Sequence, residues 1–377
     1  MQRFNIASIA TLFVLASSAA AQQATSSGPY SVIKTSRVGG EGGFDYIFAD
    51  TVGRRLYIPR GGVRAIAATD STPGRPEVTP RITVFDLETL APVGEIQPAP
   101  NSQGNGVVID PRSGHGFASS RPQITMFDTK TLKLLKSIPI DSGVGPDGIL
   151  YDSFNDRVYV FSHPTRDATV IDSKTGDNLG RIDLGGVPEE GVADGKGTLY
   201  VVMQDAQGGV TVVDTRAMKA TAHYPFGDVG RCNGLALDIK NNVLFAACAA
   251  SGNPPAQPAQ PMMVVLSATD GKILAKLPLA GGSDGAAFNP ATMEAFSTQG
   301  NGTLSIVKET SPTTFEVEQT LQTMNGARTI AFDPKTNRIF TMSLERGPAP
   351  PRPAGGGRGG QAPAIPGSFT ILMIGKS

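Results

Sequence analysis

The 377-residue chain has no tryptophan, two cysteines and three histidines. No Cys-x-x-Cys-His run is present, so covalent haem is excluded. His115, His163 and His223 are too scattered for a zinc pair. The absence of tryptophan counts against a quinone-stacking redox site. Excess charge is also absent: 33 basic residues meet 33 acidic ones, which removes the electrostatic ground for nucleic acid or an anionic membrane surface. Helical periodicity is missing beyond the N-terminus. The one long apolar run, Ile6 to Ala16 and its flanks, falls short of the roughly 20 residues needed to span a bilayer.

That run reads as a secretory signal. Arg3 is the charged start, Ala19-Ala20-Ala21 is the small-residue cleavage site, and Gln22 opens the mature chain. The expectation is a signal peptide over 1–21, a flexible N-terminus over 22–29, and a periplasmic or secreted protein with no membrane span after cleavage.

What is present in quantity is a repeat. A short apolar strand ends in Asp or Asn, a turn follows, and an aromatic comes seven residues later. The pairs are Asp50/Tyr57, Asp110/Phe117, Asp152/Tyr159, Asp238/Phe245, Asn289/Phe296 and Asp333/Phe340, with Asp194/Tyr200 one residue shorter. A third strand such as Ile82–Asp86 and a fourth such as Pro92–Ile96 complete each unit. Short β-branched strands bounded by Gly, Pro, Asn and Asp, four per unit of about 40 residues, spell a propeller blade. The last unit has no room for a fourth strand, while Tyr30–Val38 is spare at the start. The sequence therefore predicts an all-β fold. It is a single seven-bladed β-propeller over 30–377, with four-stranded antiparallel blades. The N-terminal strand (about 30–38) pairs in the last blade to close the ring. The turn Asp residues are expected to bond their own backbone two residues on, and the aromatics to pack in the core.

With these units in view, the chain resembles the YVTN-repeat, YncE-like group of exported bacterial β-propellers over about residues 30–377. The resemblance is carried by Pro188-Glu189-Glu190-Gly191-Val192-Ala193-Asp194-Gly195-Lys196-Gly197, by Gly300-Asn301-Gly302-Thr303-Leu304, and by Gly326 through Thr336. It implies a secreted or periplasmic seven-bladed propeller and no particular reaction. Relatives of this fold serve as binding modules, surface proteins and non-catalytic subunits of quinoprotein amine dehydrogenases.

The repeat is stretched at 60–81, at 251–260 and at 346–367, each time between the second and third strands of a blade. All three insertions therefore decorate one face, which is how a binding face is built. The Pro/Gly-rich insertion at 346–367 cannot bury a core and is expected to be disordered.

Counting five residues back from each turn Asp or Asn gives the first residue of each innermost strand: Asp45, Asn105, Asp147, Glu189, Asn233, Asp284 and Arg328. In blade 4 the count could slip to Glu190. These positions should ring the channel mouth on the decorated face. Converging carboxylates need a cation, raised pKa values or water. Arg328 falls between Asp284 and Asp45, which leaves Asn105, Asp147, Glu189 and Asn233 as hard oxygen ligands for Ca²⁺ or Mg²⁺, or for a cationic small ligand. A hydrated polar ring capping strand ends is the plainer alternative. His163 ends a second strand on the same face and could be a ligand or an acid/base. Gly281-Gly282-Ser283-Asp284-Gly285 spells G-x-S-x-G, but it opens a strand with no helix after it and is no nucleophile elbow. Cys232 and Cys248 flank one hairpin nearly symmetrically and should pair as a disulfide, two buried thiols being the alternative.

Three functions follow. The favoured one is an exported binding or scaffold protein that presents its decorated face to a protein or small ligand, with no catalytic residues and a monomer expected. The others are a divalent-metal-assisted, lactonase-like hydrolase at the channel mouth and an accessory subunit of a periplasmic redox enzyme.

Overall fold

The computed structural model describes residues 27–377, apart from 66, 69–73, 100–101, 142, 206, 228, 249–259 and 349–361. The proposed signal segment, the 251–260 insertion except its last residue, and the middle of the 346–367 insertion lie outside the described residues.

The described chain folds into seven four-stranded antiparallel sheets arranged as blades in a ring. Blades 1 to 6 each use four consecutive strands. Blade 7 takes three strands from the C-terminal end and its outermost strand, Tyr30–Arg37, from the N-terminal end, paired with Thr370–Lys376. This closure locks the two ends of the described chain into one blade. Gln319 of blade 6 fastens the closing strand: its side-chain amide accepts from the Tyr30 N–H and donates to the Tyr30 carbonyl, both at 2.9 Å.

Each repeat turn is built alike. The turn Asp or Asn side chain accepts a backbone N–H two residues on, for example Val52 to Asp50, Phe154 to Asp152 and Lys240 to Asp238. Four residues after the turn Asp or Asn the chain enters the left-handed region. Gly114 does so freely, while Arg54, Asp156, Asn242, Met293 and Asn337 do so at φ of 54 to 56°. The tight Asp194–Gly197 turn uses glycines instead.

The core lies between blades, not within them. In every second strand, alternate side chains point to opposite neighbours. Tyr57 thus joins Val107 and Phe127 of blade 2, while Ile58 joins Phe340 and Phe369 of blade 7. All seven repeat aromatics are buried. Each such ring contributes about 1.5–3 kcal/mol by burial, and sealing one interface between blades also fixes the next.

The innermost and second strands of blade 5 place Cys232 directly opposite Cys248, and the two form a disulfide with S–S 1.98 Å. Among the described residues no helix is long and apolar enough to cross a membrane.

Candidate functional site

The seven polar residues singled out at the channel mouth are structurally equivalent. In each blade the repeat aromatic pairs with one residue of the innermost strand, such as Phe48 with Tyr57, Val192 with Tyr200 or Ala331 with Phe340. The mouth residue lies three positions before that partner in all seven blades, and in blade 4 it is Glu189.

In blades 2 to 6 the pairing skips a register step at this point. The shifts span Gly104/Gly106, Pro146/Ile149, Pro188/Gly191, Cys232/Gly234 and Ser283/Gly285. Such bulges free a residue from the ladder and re-aim its side chain. The position after the mouth residue is glycine in four blades. At Gly148 a Cβ would meet the Glu189 carbonyl at 2.3 Å, and at Gly234 it would meet the backbone of Gly285 at 2.6 Å. In blades 1, 4 and 7 the same position holds Tyr46, Glu190 and Thr329. The glycines let adjacent innermost strands approach closely, and the Tyr46 and Glu190 side chains reach across the ring to Glu189 and to the Leu235 and Ala286 N–H groups. Below them runs an apolar central cavity of about 260 Å³.

The ring condenses into two hydrogen-bonded halves. In the first, Arg328 pairs with Asp45 at 3.3 Å and with Asp284, and Asn233 donates to Asp284 at 2.6 Å. In the second, Asn105 donates to Asp147 Oδ1 at 3.2 Å and Tyr46 OH donates to Glu189 Oε1 at 2.5 Å. His163 Nε2 lies 2.6 Å from Glu189 Oε2 and 3.1 Å from Asp147 Oδ2. Of the four expected metal ligands, Asn105, Asp147 and Glu189 come together with His163, whereas Asn233 is bonded into the other half.

Burial and crowding set the electrostatics. Burial pushes the Asp45 carboxyl up to about 7, against the pull of Arg328. Asp147 is raised by burial and by the neighbouring Glu189 charge. The hydrogen bond to Glu189 raises His163. Glu190 is pushed up to about 8 by burial, although its Oε2 accepts from the Leu235 and Ala286 N–H groups at 2.8 and 3.3 Å.

Tyr46 was not legible as a site residue from its own type. The signal was available one level up: an aromatic stands where most blades have glycine. Beside the Arg328 half opens a second cavity, of about 830 Å³, lined by Phe44, Met324, Asn325, Glu345 and Arg346. It is walled by the retained ends of the blade 7 insertion, where Arg346 and Ala364 bridge. In blade 1 the insertion likewise begins and ends as a ribbon, with Val63 bridging Val78. His115 Nδ1 donates to the Ser173 carbonyl, and His223 contacts Thr211, so neither joins the mouth.

Solved structures share this architecture. A chain of hydrazine synthase from Kuenenia stuttgartiensis superposes with a TM-score of 0.64 at 13% identity, covering 81% of this chain and 94% of that one. A chain from the mitotic checkpoint complex gives 0.65 at 8% identity, covering 90% and 95%. The likeness is one of fold. No protein-family model and no curated protein matches the chain.

Proposed function

We propose that this protein is an exported, non-catalytic binding propeller that receives a cationic group at its channel mouth from the decorated face. One observation carries the reading: the half-ring of blades 3 and 4 sets two carboxylates, Asp147 and Glu189, against a single imidazole, His163. In the opposite half the fixed charge of Arg328 already pairs with both carboxylates, Asp45 and Asp284. A negative, part-buried recess in low dielectric attracts a cation more strongly than the same charges would on an open surface. Export is supported by the Cys232–Cys248 disulfide, since such bonds persist in oxidising compartments. Membership of the YncE-like group belongs to the same reading, on the segments around Glu189, Asn301 and Arg328.

The test is calorimetric titration with choline, spermidine and acetate, in chelator at neutral pH. Choline or spermidine should bind, acetate should not, and Asp147→Asn with Glu189→Gln should weaken the cation by about tenfold or more. Preferential binding of acetate, or unchanged binding by the double variant, would sink the reading.

A further inference from the structure

We infer that the cation held at the mouth is a divalent ion of the zinc type, bound by Asp147, His163 and Glu189. This rests on the cation-receiving mouth proposed above and names its occupant.

Three ligand atoms converge from two blades. His163 Nε2 faces Asp147 Oδ2 and Glu189 Oε2, and the three residues offer ligand atoms within 4.8 Å of one another. Each carboxylate has its other oxygen held by an outer partner. Asn105 Nδ2 holds Asp147 Oδ1, and Tyr46 OH holds Glu189 Oε1. The two oxygens left over are the two that face the imidazole. Ligating carboxylates are typically fixed by hydrogen bonds of this sort, which orient the free oxygen before the ion arrives.

The spacing is close to what an ion needs. With bonds of about 2.1 Å, a tetrahedral ion separates its ligand atoms by roughly 3.4 Å. From the observed 2.6 and 3.1 Å, the His163–Glu189 distance must widen by about 0.8 Å and the His163–Asp147 distance by about 0.3 Å. An ion would replace the proton on Nε2 and relieve the repulsion between Asp147 and Glu189. Three protein ligands leave at least one position open to a further group.

The donor set decides the kind of ion. Sequence spacing alone suggested four oxygens and hence Ca²⁺ or Mg²⁺. The fold swaps the Asn233 oxygen for the His163 nitrogen, and imidazole suits zinc and its late first-row neighbours better than Ca²⁺, Mg²⁺ or Mn²⁺. His163 is a third exposed while Glu189 is almost fully buried. The ion can therefore enter from the decorated face past the imidazole.

The experiment uses the full purified protein, stripped with chelator and titrated with ZnCl₂, MnCl₂ and CaCl₂, with elemental analysis after dialysis. One Zn²⁺ per chain is expected, with Mn²⁺ and Ca²⁺ each at least about tenfold weaker. His163→Ala and Asp147→Asn should each weaken zinc by about a hundredfold, and the outer-partner variant Tyr46→Phe by about tenfold. A circular dichroism melt of each variant checks that the ring is intact. Absence of stoichiometric metal, a preference for Ca²⁺, or unchanged zinc binding in folded His163→Ala would overturn the inference. If zinc fails while choline still binds at the mouth, only this inference falls. If both fail, the mouth is not a cation site.

Discussion

His163 Nε2 and Glu189 Oε2 meet at 2.6 Å across the boundary between blades 3 and 4. The imidazole also reaches Asp147, so one group ties the end of a second strand to the bulges of two innermost strands. In the metal-free protein, His163→Ala should lower stability because two carboxylates are left facing each other. Adding Glu189→Gln should recover part of the loss. A double-mutant cycle from denaturant melts should give a coupling of about 1 kcal/mol. Strict additivity would show that the contact holds nothing together.

The pH dependence has a definite sign. Asp45 is held neutral in the fold up to about 7, mainly by burial, whereas it ionises near 4 when unfolded. Arg328 and His163 face it and oppose the shift, while Asp147 and Glu189 reinforce it. Across that window the folded state binds more protons, so stability falls as pH rises. Glu190, pushed up to about 8, acts in the same direction. The lowered groups, such as Asp110 and Asp333, lose their contribution only below the usual carboxylate range. In chelator, the melting temperature should therefore be higher at pH 5 than at pH 8, and Asp45→Asn should flatten the slope. A melt that rises from pH 5 to 8 would refute this.

Arg60 is a buried cation without a carboxylate partner among the described residues. Its guanidinium lies 3.6 Å over the Phe369 ring and makes only long bonds, 3.5 and 3.4 Å, to the Gly39 and Gly42 carbonyls. Its Nε has no partner, and burial lowers its pKa to about 9. Replacing an uncompensated buried charge by an apolar side chain of similar length is often neutral or stabilising. Arg60→Met should melt at or above the wild-type temperature. A loss of more than about 2 kcal/mol would mean that stacking on Phe369 outweighs desolvation.

Gln319 is one tie that holds the ring closed. Its amide satisfies both backbone groups of buried Tyr30, whose hydroxyl also donates to Glu294 of blade 6. Gln319→Ala should reduce stability by about 2 kcal/mol. Limited proteolysis should then cut first within the strand Tyr30–Arg37. An unchanged digestion pattern would place the closing force in the pairing with Thr370–Lys376 and the Tyr30 bond to Glu294.

The propeller was legible because its determinants are local and repeated. An Asp that accepts the N–H two residues on is a short-range device, visible wherever Asp50, Asp152 or Asp333 precedes an aromatic at fixed spacing. The cysteine pair was legible for the same reason, since one hairpin register sets Cys232 against Cys248. Repetition also located the mouth positions, because equal spacing from equal turns puts side chains at equal heights.

What the repeat could not convey is how those side chains divide the ring among themselves. That division depends on which long side chain at a mouth-adjacent position reaches which blade. Tyr46 reaches Glu189 across the channel, Glu190 reaches the strands of blades 5 and 6, and Asn233 turns to Asp284. The sequence by itself determined the strands, the turns, the ring order and the height of each polar residue, all of which follow from short-range backbone preference. Only the tertiary structure decided that His163 completes a set with Asp147 and Glu189, because contacts between blades are made where separate strands converge on one axis.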